Sequence, residues 1–148
     1  MKPRIYLFLL FIFTPHIITA QVPDTLKYTL IGPEDFLRDY KFSKNAVIID
    51  VRKYKDYRKS RIEGAINIEY TELEEYFTTP GIIDNRKSIF IYCYVGYHSK
   101  RAAVIFYDHG YRNISSLEGG FMKWKSKKMP VEGKRAESSG QGAQGKKE

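Results

Sequence analysis

The chain has 148 residues, 43% hydrophobic and 28% charged, enough apolar content for one domain with its own core and too much for a disordered chain. Its formal net charge of +8 raises nucleic acid as a partner, but the cations are scattered and form no helical stripe. A solvated basic surface without a nucleic-acid partner is therefore expected. The single cysteine excludes an internal disulfide, so the fold must stand on its core.

Residues 1–20 read as a secretory signal peptide: Lys2 and Arg4, an apolar run from Ile5 to Phe13, a break at Pro15, and Ala20 before Gln21. The apolar run is short for a bilayer span, although Ile18 is not the small residue a cleavage site favours, which keeps an uncleaved anchor as the alternative. The expectation is an exported protein, periplasmic or secreted, with no stable membrane contact after cleavage. Residues 21–26 read as a linker, 27–132 as the folded domain, and 133–148, rich in Gly, Ser, Gln and Lys, as a disordered tail.

Within the domain, strand and helix signals alternate. A short leading strand (28–31) precedes a helix over 33–40, which opens with Pro33 and two acids. The β-branched run 46–51 reads as a strand buried on both faces. A short helix follows at 53–60 and a strand at 65–69. Thr71 with Glu74 three positions on forms a capping-box pattern for a helix over 71–79. The most apolar strand is 88–93. A helix over 99–110 follows, then a weaker strand at 113–119, then a helix over 119–128 carrying Phe121 and Trp124 at helical spacing. Strands separated by helices imply an α/β fold, a parallel sheet covered on both faces.

The lone thiol, Cys93, ends the most apolar strand, in the region where open parallel sheets bind ligands. Gly96 permits a tight, partly left-handed turn whose amides point inward as an anion nest, and the helix after it adds positive partial charge. Both favour a thiolate, the nucleophilic form. A lone cysteine is otherwise a small buried hydrophobe. The order strand, cysteine, glycine turn, helix favours the nucleophile.

Four stretches together resemble the single-domain rhodanese family of sulfurtransferases. "IIDVRKYKDY" is similar to the family's strand-ending Asp-Val-Arg with an acid four residues after the Arg. "RIEGAINIE" resembles "HIPGAINIP", "CYVGYHSKRAA" resembles the Cys-x-x-Gly-x-Arg-Ser active loop, and "LEGGFMKWKSKKMPVE" resembles the closing Leu-x-Gly-Gly, Trp, Pro-Val pattern. The resemblance implies a three-layer α/β/α fold around a mostly parallel five-stranded sheet. It implies that Cys93 takes a sulfane sulfur from thiosulfate or a persulfide donor and passes it, as a persulfide, to cyanide or a thiol. The amides from Tyr94 through Val95, Gly96, Tyr97 and His98 to Ser99 would cradle that persulfide, with Lys100 and Arg101 as nearby cations. Asp50 would sit beside the loop, and Arg52 and Asp56 would pair to hold that corner. Gly119 and Gly120 would permit close packing, and Trp124 would belong to the core.

Two positions depart from the family pattern. His98 stands where the loop often ends in Arg, and Arg61 and Glu63 replace the His and Pro of the "HIPGA" stretch. Histidine is mostly neutral near pH 7, so the pocket reads as less cationic than a strong thiosulfate site. One alternative is a rhodanese-fold module that binds sulfur or a partner without turnover. Another is a cysteine-dependent phosphatase or arsenate reductase, whose longer loop ends in Arg where this chain has Ser99. No cofactor is expected. No metal is expected either, since outside the leader the nitrogen and sulfur ligands are Cys93, His98 and His109. A monomer acting on small-molecule donors and acceptors is the expected state.

Overall fold

The computed structural model describes residues 23–79 and 83–133. The leader read over 1–20 lies outside the described residues, as does the tail beyond Gly133. Five strands form the central sheet: β1 (Thr29–Ile31), β2 (Ala46–Asp50), β4 (Ala65–Asn67), β5 (Ser88–Tyr92) and β6 (Ile114–Leu117). Their order is β1-β6-β5-β2-β4, and every pairing is parallel. The expected α/β sheet is therefore present, with all five strands aligned. Residues 24–26, read as linker, form a turn of 3₁₀ helix instead.

Strand periodicity divides the core. Ile49, Ile89 and Ile91 point to one face and meet Ala102, Ala103 and Phe106 of helix α4 (Tyr97–Asp108) and Leu73 of helix α3 (Leu73–Thr78). Ile48, Phe90 and Tyr92 point to the other. There they meet Phe36 of α1 (Pro33–Phe42) and Phe121 and Trp124 of α5 (Gly120–Ser126). Because successive side chains on a strand alternate faces, an uninterrupted apolar run covers both layers at once. Trp124 is fully buried, as its spacing implied, and its indole N–H donates to the Pro130 carbonyl at 2.8 Å.

Three local expectations change. The capping box at Thr71 does not form. Residues 70–72 make a 3₁₀ turn, α3 starts at Leu73, and no side chain caps it. Burial of Leu73 in the core fixes that start, which outweighs a cap worth about 1 kcal/mol. Helix α4 begins at Tyr97, two residues earlier than the Ser99 start, because Gly96 at φ 91 turns the chain directly into it. A small antiparallel pair, β3 (Arg61–Ile62) with β7 (Val131–Glu132), was not evident from the sequence. It is fastened by the Arg61–Glu132 ion pair at 2.8 Å.

Candidate active site

Cys93 follows the last residue of β5 and continues its alternation, so its side chain joins the α3/α4 face of the core and is only 3% exposed. Three residues separate it from α4. Within that turn the Gly96 amide donates to Cys93 Sγ at 3.1 Å. One amide of the expected nest is thus already aimed at the sulfur, at the N-terminal end of a 12-residue helix whose dipole favours negative charge there.

The loop is held from below by the start of α5. The Phe121 amide donates to the Cys93 carbonyl at 2.8 Å, and the Met122 amide donates to the Tyr94 carbonyl at 2.9 Å. Gly120 makes this approach possible. A Cβ there would lie 2.6 Å from the Cys93 carbonyl oxygen and 2.7 Å from the Tyr94 carbonyl. Gly120 of the "LEGG" stretch is therefore required by close backbone contact, as the sequence suggested.

The remaining loop residues divide. Tyr94, Val95 and Tyr97 are 58%, 51% and 56% exposed and form an apolar rim around a buried sulfur. His98 is exposed, and its ring stacks on Tyr70 with centroids 4.8 Å apart. Ser99 is fully buried and its hydroxyl accepts a bond from Ser116 of β6 at 3.0 Å, so its side chain fastens α4 to the sheet. Arg101 lies one turn along α4 and donates to the Tyr97 hydroxyl at 2.6 Å.

The Arg52–Asp56 pair does not form. Arg52 turns back to Asp50, donating from Nε at 2.9 and 3.0 Å and from Nη2 at 2.6 Å, while its backbone amide bonds the same carboxylate at 2.9 Å. Its remaining bond goes to the Ser60 carbonyl at 2.8 Å. Asp50 is fully buried and Arg52 nearly so. A buried guanidinium requires a carboxylate inside the same low-dielectric site, which Asp56 on the surface of α2 (Tyr54–Lys59) does not provide. Burial by itself lowers the affinity of Arg52 for its proton, but the bonds and charge of Asp50 more than offset this and raise it.

Tyr92 and Phe121 complete this corner and were missed as site residues. The Tyr92 hydroxyl donates to Asp50 Oδ2 at 2.6 Å and accepts the Ile62 amide at 3.1 Å. Burial, then the Asp50 charge, pushes its pKa well above the ordinary 10, so it stays a neutral donor. The Arg52 guanidinium lies 4.0 Å over the Phe121 ring. The ion pair thus braces both the residue before Cys93 and the residue whose amide holds its carbonyl. A tyrosine at the end of the most apolar strand was the available signal, since a buried hydroxyl demands a partner.

The family model for the rhodanese-like domain matches residues 34–127. The chain belongs to the rhodanese-like family. A thiosulfate sulfurtransferase GlpE of Actinobacillus succinogenes is 31% identical over 110 residues, spanning 72% of this chain and 93% of that one. The protein of the same name from Coxiella burnetii is 32% identical over 83 residues, 56% of this chain and 75% of that one. The crystal structure of a rhodanese-related protein from Thermoplasma volcanium matches with a TM-score of 0.60 at 28% identity, covering 71% of this chain and 98% of that chain. The rhodanese-like domain and the names of these relatives support a sulfurtransferase-type function.

Proposed function

We propose that the protein moves a sulfane sulfur through a persulfide on Cys93. In the first half-reaction the Cys93 thiolate attacks the outer sulfur of thiosulfate or of a persulfide donor. The donor's S–S bond breaks and its electron pair leaves with sulfite or a thiolate. In the second, cyanide or a thiolate attacks the outer sulfur, the bond to Cys93 Sγ breaks, and the Cys93 thiolate returns. The observation that carries this reading is the Gly96 amide bonded to Cys93 Sγ within a three-residue turn at a helix N-terminus. Such a donor stabilises charge on sulfur without any side-chain proton transfer.

The same turn argues against phosphoryl transfer. That chemistry requires cations clamped on the equatorial oxygens, and no arginine lies between Tyr94 and His98. The pattern of residues 1–20 adds the proposal that the protein is exported as a soluble chain cleaved before Gln21; intact mass of native-host protein beginning at Gln21 tests it, and a retained Met1 in a membrane fraction would contradict it. For the chemistry, thiosulfate, a persulfide donor and an aryl phosphate are assayed side by side on wild type and Cys93→Ser. Sulfur transfer abolished in folded Cys93→Ser, with no phosphatase activity in either protein, is the expected result. Near-normal transfer by Cys93→Ser would overturn the mechanism.

A further inference from the structure

Cations that lie scattered along the sequence gather on the α1/α5 layer. Residues 53–61 and 120–133 carry nine lysines and arginines against two acids, whereas the remaining described residues carry ten against thirteen. The two segments run side by side. At one end the Arg52 guanidinium, next to Lys53, lies 4.0 Å over the Phe121 ring, and the Lys125 ammonium lies 5.9 Å from the same ring. At the other end β3 pairs with β7, and a Cβ on Gly133 would lie 2.8 Å from the Lys59 carbonyl oxygen. Pairing absorbs three of the nine cations: Arg61 with Glu132, Lys123 with Glu118 and Lys127 with Glu34. Among the described residues the other six, Lys53, Lys55, Arg58, Lys59, Lys125 and Lys128, have no carboxylate partner, and all six are exposed. One face of the domain is thus strongly cationic, while the rest carries a slight excess of acid.

We infer that this face docks reversibly on an anionic phospholipid bilayer. Five of the six unpaired cations are lysines, hydrated point charges on flexible stems, which a diffuse field of headgroup phosphates satisfies without fixed geometry. Contact surfaces between proteins are instead depleted in lysine and enriched in arginine. The arginine among the six, Arg58, lies 5.7 Å over the Tyr54 ring, which also stacks on Tyr57 with centroids 6.2 Å apart. Tyr54 is therefore a poor platform for the base stacking that single-stranded nucleic acid uses. Tyr54 and Met122, 55% and 52% exposed, add amphipathic and apolar contact suited to the headgroup region. The face reaches the active loop, since the Phe121 and Met122 amides hold the Cys93 and Tyr94 carbonyls. Docking therefore brings the Cys93 loop to the bilayer surface. Attachment by charge is reversible and salt-labile, and it needs no retained leader.

Docking is tested without any sulfur transfer, so it stands or falls separately from the Cys93 chemistry. The full chain is mixed with vesicles of phosphatidylglycerol and phosphatidylcholine in equal parts, or of phosphatidylcholine alone, and binding is read by sedimentation. Any contribution of the apolar run 5–13 is common to both vesicles. Stronger binding to the anionic vesicles is expected at low salt and should vanish at about 1 M salt, where charges are screened beyond about 3 Å. Each cation at an anionic surface strengthens binding about fivefold, so Lys55→Gln with Lys59→Gln, and separately Lys125→Gln with Lys128→Gln, should each weaken it about 10–25-fold. The same loss of charge on the other layer, Lys87→Gln with Arg112→Gln, should change it less than about twofold; Arg112 lies over Tyr107 of α4. Circular dichroism confirms that the variants are folded. Equal binding to both vesicles, or an equal loss in the Lys87, Arg112 pair, overturns the face. Displacement by glycerol phosphate at matched phosphate would mark a small-phosphate site and overturn it too, as would tighter, salt-labile binding to polyuridylate RNA, which would assign the face to nucleic acid.

Discussion

Gly120→Ala is the substitution in which the packing around Cys93 shows most directly. Position 120 has φ +59, where an L-residue costs about 1–2 kcal/mol relative to glycine. The new methyl would meet carbonyl atoms of Cys93 and Tyr94 at 2.6–2.7 Å, and these belong to backbone, which cannot swing aside. Relief requires the loop and α5 to separate, which breaks the Phe121 and Met122 amide bonds to those same carbonyls. Two bonds at about 0.5–1.5 kcal/mol each bring the total to about 2–5 kcal/mol. At about 4 °C per kcal/mol, the melting temperature falls roughly 8–20 °C. Sulfur loading of Cys93 should fall as well, because the displaced segment carries the reactive residue. Gly32→Ala is the control. Its φ is −71 and a Cβ there meets nothing closer than a Glu34 carboxylate oxygen at 3.9 Å, so little change is expected. Calorimetry and thiosulfate loading on both variants check the reasoning. A Gly120→Ala protein with wild-type melting and loading would refute it.

Asp50→Asn leaves the Arg52 guanidinium buried without a counter-charge and should destabilise the protein by about 3–5 kcal/mol in urea unfolding. Tyr76 has a buried hydroxyl with no hydrogen-bond partner, and burial pushes its pKa up to about 12. Its folded-state value lies above the unfolded value near 10, so its neutral form stabilises the fold fully below about pH 10, and that contribution is lost as pH rises towards 12. Tyr76→Phe should therefore raise stability by about 1 kcal/mol near neutrality and flatten part of the alkaline decline, measured by urea unfolding against pH. His98→Arg places a permanent cation on the loop rim and should raise thiosulfate kcat/KM about threefold to tenfold, the modest end being set by the exposure of position 98. The gain should shrink with an uncharged persulfide donor.

The parts of the fold legible in the sequence are those set by local pattern. The runs 46–49 and 89–93 are apolar without interruption because both faces of β2 and β5 are covered, and that pattern points to a parallel sheet between helix layers. Cys93 and Gly96 were legible because one residue ends the strand and the other must turn the chain. The Asp50–Arg52 pair was not. Spacing of four residues suggested a surface helix pair with Asp56, whereas the real partner is decided by burial at the end of the sheet, which only tertiary packing sets. The helix start expected at Ser99 was misplaced for a similar reason: α4 has already begun at Tyr97, and the Ser99 hydroxyl meets Ser116. The Thr71 capping pattern lost to the burial of Leu73. The basic face draws on two segments distant in sequence, 53–61 and 120–133, and no local motif joins them.

The most direct test of sulfur transfer through Cys93 is the intact mass of the purified protein after brief reaction with thiosulfate and removal of excess donor. One added sulfur atom is expected, mapped by peptide analysis to Cys93, absent from Cys93→Ser, and discharged when cyanide or a thiol is added. A folded wild-type protein that gains no sulfur from thiosulfate or from a persulfide donor, or one whose adduct survives the Cys93→Ser change, would contradict the proposed function.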